Sequence, residues 1–382
     1  MRLYVFGETT MRNKAPRERK QYLDIDVLQA ARQRINYILD VFDSVLVCFS
    51  GGKDSLVVLN LVEQIYKERG IKQKIKVVFR DEELIPDNVV EFVQSMYESG
   101  KYDFRYYAIP LKSQKYVLGK IEEYVQWDRN REWIRKPPSY AIRLADGDKR
   151  SFTQYDADAF ICKNEKGKVA MLTGIRAQES LMRFQSVMSK KNETYICATK
   201  ADGIKLCKPI YDWSEQDVFL FFYQYKINSC HIYNEQMLNG EVLRVSTSLH
   251  AESAKQFDKL KTRCPQYYQQ VIDLFPDMIL QGRYYNQFGG TKDFSEYARS
   301  IDGIKKFAVD SIPEPELLQK AFKIIAAAER QRAKKTPTLQ NNYCGYPLMY
   351  VFECIAKGQV KRGALLPCYD VRKKYIDFEN GL

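Results

Sequence analysis

The chain has 382 residues, which suggests two or three domains at about 150 residues each. Apolar residues make up 45% and charged residues 28%, a balance that excludes wholesale disorder. No run approaches the roughly 18 apolar residues of a membrane span, and the first 20 residues lack a signal-type apolar core, so a cytoplasmic protein without membrane contact is expected.

Lysine and arginine total 60 against 48 acidic residues, giving a net charge of +12. This surplus points to an anionic partner, a nucleotide or a nucleic acid, or simply to a basic solvated surface. The nine cysteines are odd in number and contain no C-x-x-C pair. With His231 and His250 the only histidines, a disulfide framework or a Cys/His metal site is not expected.

Residues 1–43 read as a basic arm (12–20) and a leading helix over about 24–40, with Val27, Ala31 and Ile35 at helical spacing. The run 44–49 reads as a buried strand, 50–55 as a loop, and 55–70 as a helix. Strands are expected at 74–79 and 104–111, with a helix at 88–100 between them. This β-α-β-α-β order predicts a parallel sheet with right-handed crossovers. An insertion at about 112–165 interrupts it. The pattern resumes with a strand at 168–174, a helix opening at 175–184, a strand at 205–210 and a helix at 212–227. A nucleotide-binding domain over 44–235 and a mainly helical domain over 236–382 are therefore expected.

The strongest local signal is Ser50-Gly51-Gly52-Lys53-Asp54-Ser55, set between a buried strand and a helix. Paired glycines let the backbone turn tightly and aim its amides at one anion, and the helix adds the positive end of its dipole. Lys53 adds a full charge, and Ser50 and Ser55 add hydroxyls. Asp54 would hold Mg²⁺ or brace the loop. The spacing is neither that of a Walker A loop nor that of a dinucleotide fingerprint.

Two further segments carry chemistry. Gly174 at a strand end permits close approach of a ligand, and Arg176 and Arg183 can clamp phosphate or sulfate. Glu179 and Arg183 also stand four apart on a helix, where a surface ion pair is the plainer account. The segment Asp212-Trp213-Ser214-Glu215-Gln216-Asp217 reads as a helix cap with a packed tryptophan. Asp81, Glu82 and Glu83 follow the second strand, where ligands of open α/β sheets bind. Arg80 and Asp81 can meet adenine or ribose, Asp81 can hold Mg²⁺, and a solvated acidic loop is the alternative. In the insertion, Trp127, Arg129, Arg131, Trp133, Arg135, Lys136 and Arg143 interleave aromatic and basic side chains. They suit a nucleic-acid or nucleotide surface, a lid, or a half-buried basic helix.

The loop 50–55 resembles the PP-loop of N-type ATP pyrophosphatases. The segment 172–183 resembles the G-[IL]-R-x-x-E-S-x-x-R motif, and 208–218 the P-[IL]-x-D-W-[ST]-x-x-D-V segment, of the phosphoadenosine phosphosulfate (PAPS) reductase branch. The resemblance implies an adenine nucleotide alpha-hydrolase-like, Rossmann-like fold and an ATP α/β-pyrophosphatase that adenylates a substrate with Mg²⁺. Its implied nucleotide, ATP or PAPS, would meet Ser50, Gly51, Gly52, Lys53, Asp54, Ser55, Asp81, Gly174, Arg176 and Arg183. Catalysis would rest on Lys53, Asp54 and Arg176, and metal binding on Asp54 and Asp81. The reductases' C-terminal Glu-Cys-Gly-x-His context is absent, so a reductase or sulfurtransferase would need an unconventional cysteine, Cys344 or Cys368. A non-catalytic nucleotide-sensing or nucleic-acid-binding regulator is the other alternative. Residues 240–382 loosely resemble DUF3440-type PAPS sulfurtransferases, also called immunoglobulin-binding-regulator A-type proteins, which implies a ParB/sulfiredoxin-like partner.

Overall fold

The computed structural model describes residues 24–118, 120–188, 193–285, 294, 296–333, 345–356, 375 and 378. Contacts within the chain gather Asp24–Arg283 into one compact unit and Tyr284–Leu382 into another.

The first unit opens with helix α1 (Val27–Val41), capped by the Asp26 carboxylate on the Gln29 amide. Strand β1 (Ser44–Cys48) leads into helix α2 (Lys53–Glu68). Strand β2 (Lys76–Arg80), helix α3 (Asp87–Glu98) and strand β3 (Asp103–Tyr107) follow. A hairpin of β4 (Leu111–Val117) and β5 (Lys120–Gln126) stands apart as its own two-stranded antiparallel sheet. After an irregular stretch come helix α4 (Gln154–Cys162) and strand β6 (Val169–Thr173). Helix α5 (Leu181–Met188), strands β7 (Ile196–Ala198) and β8 (Ile204–Cys207), and helix α6 (Glu215–Tyr225) complete the α/β part.

The main sheet runs β3-β2-β1-β6-β8-β7. Its first five strands are parallel, and only the edge strand β7 runs against its neighbour. Val47 of β1 stands opposite Val77 of β2 and Leu172 of β6, all fully buried. The chain leaves β1 toward β2 on one side and finds β6 on the other. The carboxyl ends of β1 and β6 therefore meet at the switch point of the sheet, where open α/β sheets bind ligands. Helix α2 is apolar almost all round, with Leu56 to Leu59, Leu61, Val62 and Ile65 buried, because it packs among β1, α1 and α6.

Several local expectations are corrected. The strand expected over 104–111 stops at Tyr107 and a new one starts at Leu111, with Pro110 between them. The helix opening expected at 175 is a single 3₁₀ turn over Ala177–Glu179, and α5 starts only after an extended Ser180, whose hydroxyl accepts from the Arg183 amide. Within the insertion, the Trp127–Arg143 stretch expected as a lid, a ligand surface or a half-buried helix is an irregular strap after the β4–β5 hairpin, and helix α4 closes the insertion.

Helices α7 (Ile232–Leu238), α8 (Ala251–Ala254), α9 (Phe257–Arg263), α10 (Pro265–Leu274) and α11 (Met278–Tyr284) follow α6. Phe257, Leu260, Tyr267, Val271 and Met278 form a core that also takes in Leu84 from the loop after β2. The second unit is helical: α12 (Ile301–Ser311), α13 (Pro315–Arg332) and α14 (Leu348–Ala356). Phe307 and Phe352 meet edge to face at 4.6 Å, and Phe294 stacks on Phe352 at 4.3 Å. No helix among the described residues is long and apolar enough to cross a membrane.

Candidate functional site

The glycine loop lies at the switch point. Gly51 has φ +74°, and a Cβ there would come within 2.9–3.0 Å of Val89 and Val93 on α3. Only glycine fits that turn without pushing α3 away. Gly52 is the N-cap of α2 and supplies no side chain, so the first turn is braced by hydroxyls instead. Ser55 Oγ donates to the Gly52 carbonyl at 2.9 Å and accepts the Ser50 amide at 3.1 Å. The Gly52 amide donates to Ser50 Oγ at 3.3 Å. The Lys53 amide donates to the Tyr233 hydroxyl of α7 at 2.7 Å.

Oxygen atoms of protein hydroxyls thus stand against the loop amides, in the chemical role a phosphate oxygen would take. Tyr233 is fully enclosed, and burial pushes its phenol well above the ordinary value, so the hydroxyl is neutral.

The charged side chains form a chain. Asp54 accepts Arg176 Nε at 2.6 Å and Lys53 Nζ at 3.3 Å. Lys53 Nζ also reaches Glu215 at 3.3 Å and the Leu243 carbonyl at 3.1 Å, and lies 5.4 Å from the Tyr233 ring centroid. Lys53 and Arg176 are 3% and 4% exposed, so both cations sit in a low-dielectric setting where their field is strong. All three sequence motifs therefore meet here: the loop, the Arg176 segment after β6, and Glu215 at the start of α6. Glu215 was missed in the sequence because its segment reads as a helix cap. That reading also holds, since Ser214 and Asp217 form a full capping box. Trp213 is buried and its indole N–H donates to the Val27 carbonyl, and Asp212 pairs with both terminal nitrogens of Arg34 at 2.7 Å.

Two expected site residues are taken up by other protein groups. Arg183 of α5 pairs with Glu179 of the preceding 3₁₀ turn, across the extended Ser180, and the same carboxylate accepts the Arg176 amide at 3.0 Å. Asp81 is enclosed among protein groups: it accepts Tyr106 Oη at 2.5 Å, Arg135 Nη2 at 2.6 Å and the Glu83 amide at 2.9 Å. Burial pushes its carboxyl upward despite Arg135 and the Tyr106 hydrogen bond. The expected magnesium pair is not assembled: Asp54 is held by Arg176 and Lys53, and Asp81 by Arg135 and Tyr106. Among the described residues no three His, Cys, Asp or Glu side chains could hold a metal. These residues do not fit a protein-held Mg²⁺.

Gly174 is a glycine for a reason the sequence did not reveal. A Cβ there would lie 2.5 Å from the backbone of Asp54 and Ser55. The missing side chain lets β6 touch the first turn of α2, so it is the protein's own backbone that approaches closely.

The insertion is bound to the loop after β2. Arg131 grips the Glu83 carboxylate through two contacts of 2.6 and 2.5 Å, and Arg135 bonds Asp81 and the Glu83 carbonyl. Trp127 is buried, with its indole N–H on the Asp81 carbonyl at 2.8 Å. The acidic loop is therefore not a solvated one.

Three described cysteines are poor thiolate formers. Burial pushes the thiols of Cys48, Cys162 and Cys207 each up to about 12. Cys344 and Cys368 lie outside the described residues.

The phosphoadenosine phosphosulfate reductase domain family matches residues 44–293. The uncharacterized protein YbdN of Escherichia coli K12 is 31% identical over 236 residues, 58% of this chain and 58% of that protein. The chain thus spans a little over half the length of that curated relative. A Candida glabrata FMN adenylyltransferase, solved with FAD and inorganic pyrophosphate, shares 15% identity over 54% of this chain and 59% of its own, with a TM-score of 0.37. A PAPS reductase from Candida auris shares 12% identity over 57% of this chain and 90% of its own, with a TM-score of 0.35.

Proposed function

The chain belongs to the phosphoadenosine phosphosulfate reductase domain family, and from that premise we propose that it binds an adenine nucleotide on the 50–55 loop and transfers its adenylyl group. The observation that carries this is the convergence of two buried cations, Lys53 and Arg176, on the amide-lined first turn of α2. Pyrophosphate is a leaving group that needs charge stabilisation more than acid–base chemistry. In this reading the loop amides and Lys53 take the β- and γ-phosphates, and Arg176 neutralises charge at the α-phosphate. An acceptor nucleophile attacks the α-phosphorus. Its new bond to phosphorus forms as the bond to the β-bridging oxygen breaks. Pyrophosphate leaves with the electron pair, and the acceptor's proton passes to solvent.

Burial makes Cys48, Cys162 and Cys207 poor nucleophiles, so thiol-based reduction would rest on Cys344 or Cys368, which lie outside the described residues. The test is incubation with ATP and with PAPS, with and without added Mg²⁺ and candidate acceptors. AMP or an adenylated acceptor together with pyrophosphate, lost in Lys53→Ala and Arg176→Ala, is the expected result. Release of ADP and phosphate, or turnover that survives Lys53→Ala, refutes the proposal. Thioredoxin-dependent release of sulfite from PAPS refutes it in favour of a reductase.

A further inference from the structure

A concave feature lies away from the glycine loop, beyond the carboxyl end of β3. It is a cavity of about 610 Å³, within the range of roughly 300–1,000 Å³ usual for small-ligand sites. Its lining includes Trp127, Trp133, Arg129, Arg135, Lys136 and Arg143, with Ala108 and Pro110 from the connection between β3 and β4. The insertion supplies almost all of it.

The lining is a built structure. Trp127 and Trp133 meet edge to face with centroids 5.4 Å apart, and the Trp133 indole N–H is fixed on the Asp128 carbonyl at 2.7 Å. Arg129 is held by the carbonyls of Leu144 and Ala145 at 2.7 and 3.0 Å and forms no ion pair among the described residues, although its charge acts on nearby Asp148. Residues 140–144 are tied to β3 by the Ile142 amide on the Tyr106 carbonyl at 2.7 Å and the Ala108 amide on the Ile142 carbonyl at 3.0 Å. That pairing places Arg143 on the wall.

The charges divide into two groups. Arg131 and Arg135 are spent on Glu83 and Asp81. Lys136 and Arg143 are exposed on the lining and form no ion pair among the described residues. Glu132 and Asp146 also line the cavity, so the unspent charge is three cations against two carboxylates. A tryptophan that is only half-buried beside unspent cations suits a flat ring carrying an anionic group.

We propose that this cavity binds a nucleoside monophosphate-sized ligand, its base against Trp133 and its phosphate at Lys136 and Arg143. The site is separate from the glycine loop. Ala108 and Pro110 directly follow β3, which lies two strands from β1, roughly 10 Å across the sheet at the usual strand spacing. It does not depend on the adenylyl-transfer reading.

The test uses the full chain carrying Lys53→Ala, so that the loop contributes least. AMP, GMP, CMP and UMP are titrated by tryptophan fluorescence and calorimetry, with inorganic phosphate and a short oligonucleotide as comparisons. The expected result is saturable 1:1 binding of at least one monophosphate, weakened at least tenfold by adding Lys136→Ala with Arg143→Ala. Those two exposed positions leave the fold intact, which a thermal melt verifies, and Trp133→Phe retains binding better than Trp133→Ala. Absence of saturable binding overturns the proposal. So does binding that is indifferent to the Lys136/Arg143 pair, inorganic phosphate binding as tightly as the nucleotides, or an oligonucleotide binding where no monophosphate does.

Discussion

Replacing Tyr233 by phenylalanine tests whether the loop amides are the phosphate site. The substitution removes the oxygen that accepts the Lys53 amide at 2.7 Å and leaves the ring in place. A buried donor without an acceptor costs about 1–3 kcal/mol. At about 1.5 kcal/mol, and about 2–4 °C of melting temperature per kcal/mol for a unit of this size, the melt should fall by roughly 3–6 °C. Binding should move the other way. In the wild type a phosphate oxygen must displace the Tyr233 hydroxyl before it meets the Lys53 amide. In the variant that bond is already gone, so the same 1.5 kcal/mol appears as about tenfold tighter nucleotide binding. Calorimetry with ATP beside a thermal melt of the ligand-free protein reads both numbers. A lower melting temperature with weaker or unchanged affinity refutes the reasoning, because the hydroxyl would then either contact the nucleotide itself or stand away from it.

Gly174→Ala should cost about 3 kcal/mol, the upper end for overpacking, because the clash is with backbone that no rotamer change relieves, and should lower the melt by roughly 6–12 °C. A melt within 1 °C of wild type would show that β6 and α2 are not in contact. Glu215→Gln removes a half-exposed carboxylate from Lys53, so stability should change by less than about 1 kcal/mol while ATP binds two- to fivefold tighter. Calorimetry decides it, and a tenfold loss would mean that Glu215 holds Lys53 in place. Glu165 gives a pH dependence. Burial raises its carboxyl, but hydrogen bonds from Lys76, Ser44 and Arg105 outweigh that and hold it at about 2, against an ordinary 4.5. A depressed carboxyl stabilises fully above its unfolded value, and the contribution, about 3 kcal/mol, is lost as pH falls from about 4.5 toward 2. Glu165→Gln should therefore lower stability at pH 7 and flatten the acid limb of a pH-dependent melt.

The sequence was most legible where structure is local. Buried runs such as 44–48 and 76–80 announce parallel strands, and the apolar wrap of 56–65 announces a helix covered on more than one side. The glycine loop is equally local, since its φ and its close approach to α3 demand glycine. Long-range partner choice was not legible. Nothing near Asp81 in the chain shows that Arg135, 54 residues later, will neutralise it, nor does anything near Lys53 show that Tyr233, 180 residues later, will take its amide. The same limit explains Gly174, whose purpose lies in the backbone of α2. Strand β7 escaped because three residues carry no readable alternation.

Charge at the switch point gives these contacts a common logic. Lys53 and Arg176 are balanced by Asp54 and Glu215, so the four side chains sum to zero before any anion arrives. A triphosphate would add several negative charges to that balanced set, and two buried cations cannot serve both it and two carboxylates at full strength. Of the two carboxylates, Asp54 lies in the first turn of α2 and is bound to both cations, whereas Glu215 pairs, among the described residues, with Lys53 alone and is 44% exposed in its side chain. Glu215 is therefore the partner most easily released to water. On the adenylyl-transfer reading, the third motif has a role beyond capping α6: it lends Lys53 a counter-charge that an incoming phosphate would take over. That exchange requires nucleotide affinity to rise when Glu215 is neutralised and to fall when Asp54, the brace of Arg176, is neutralised instead.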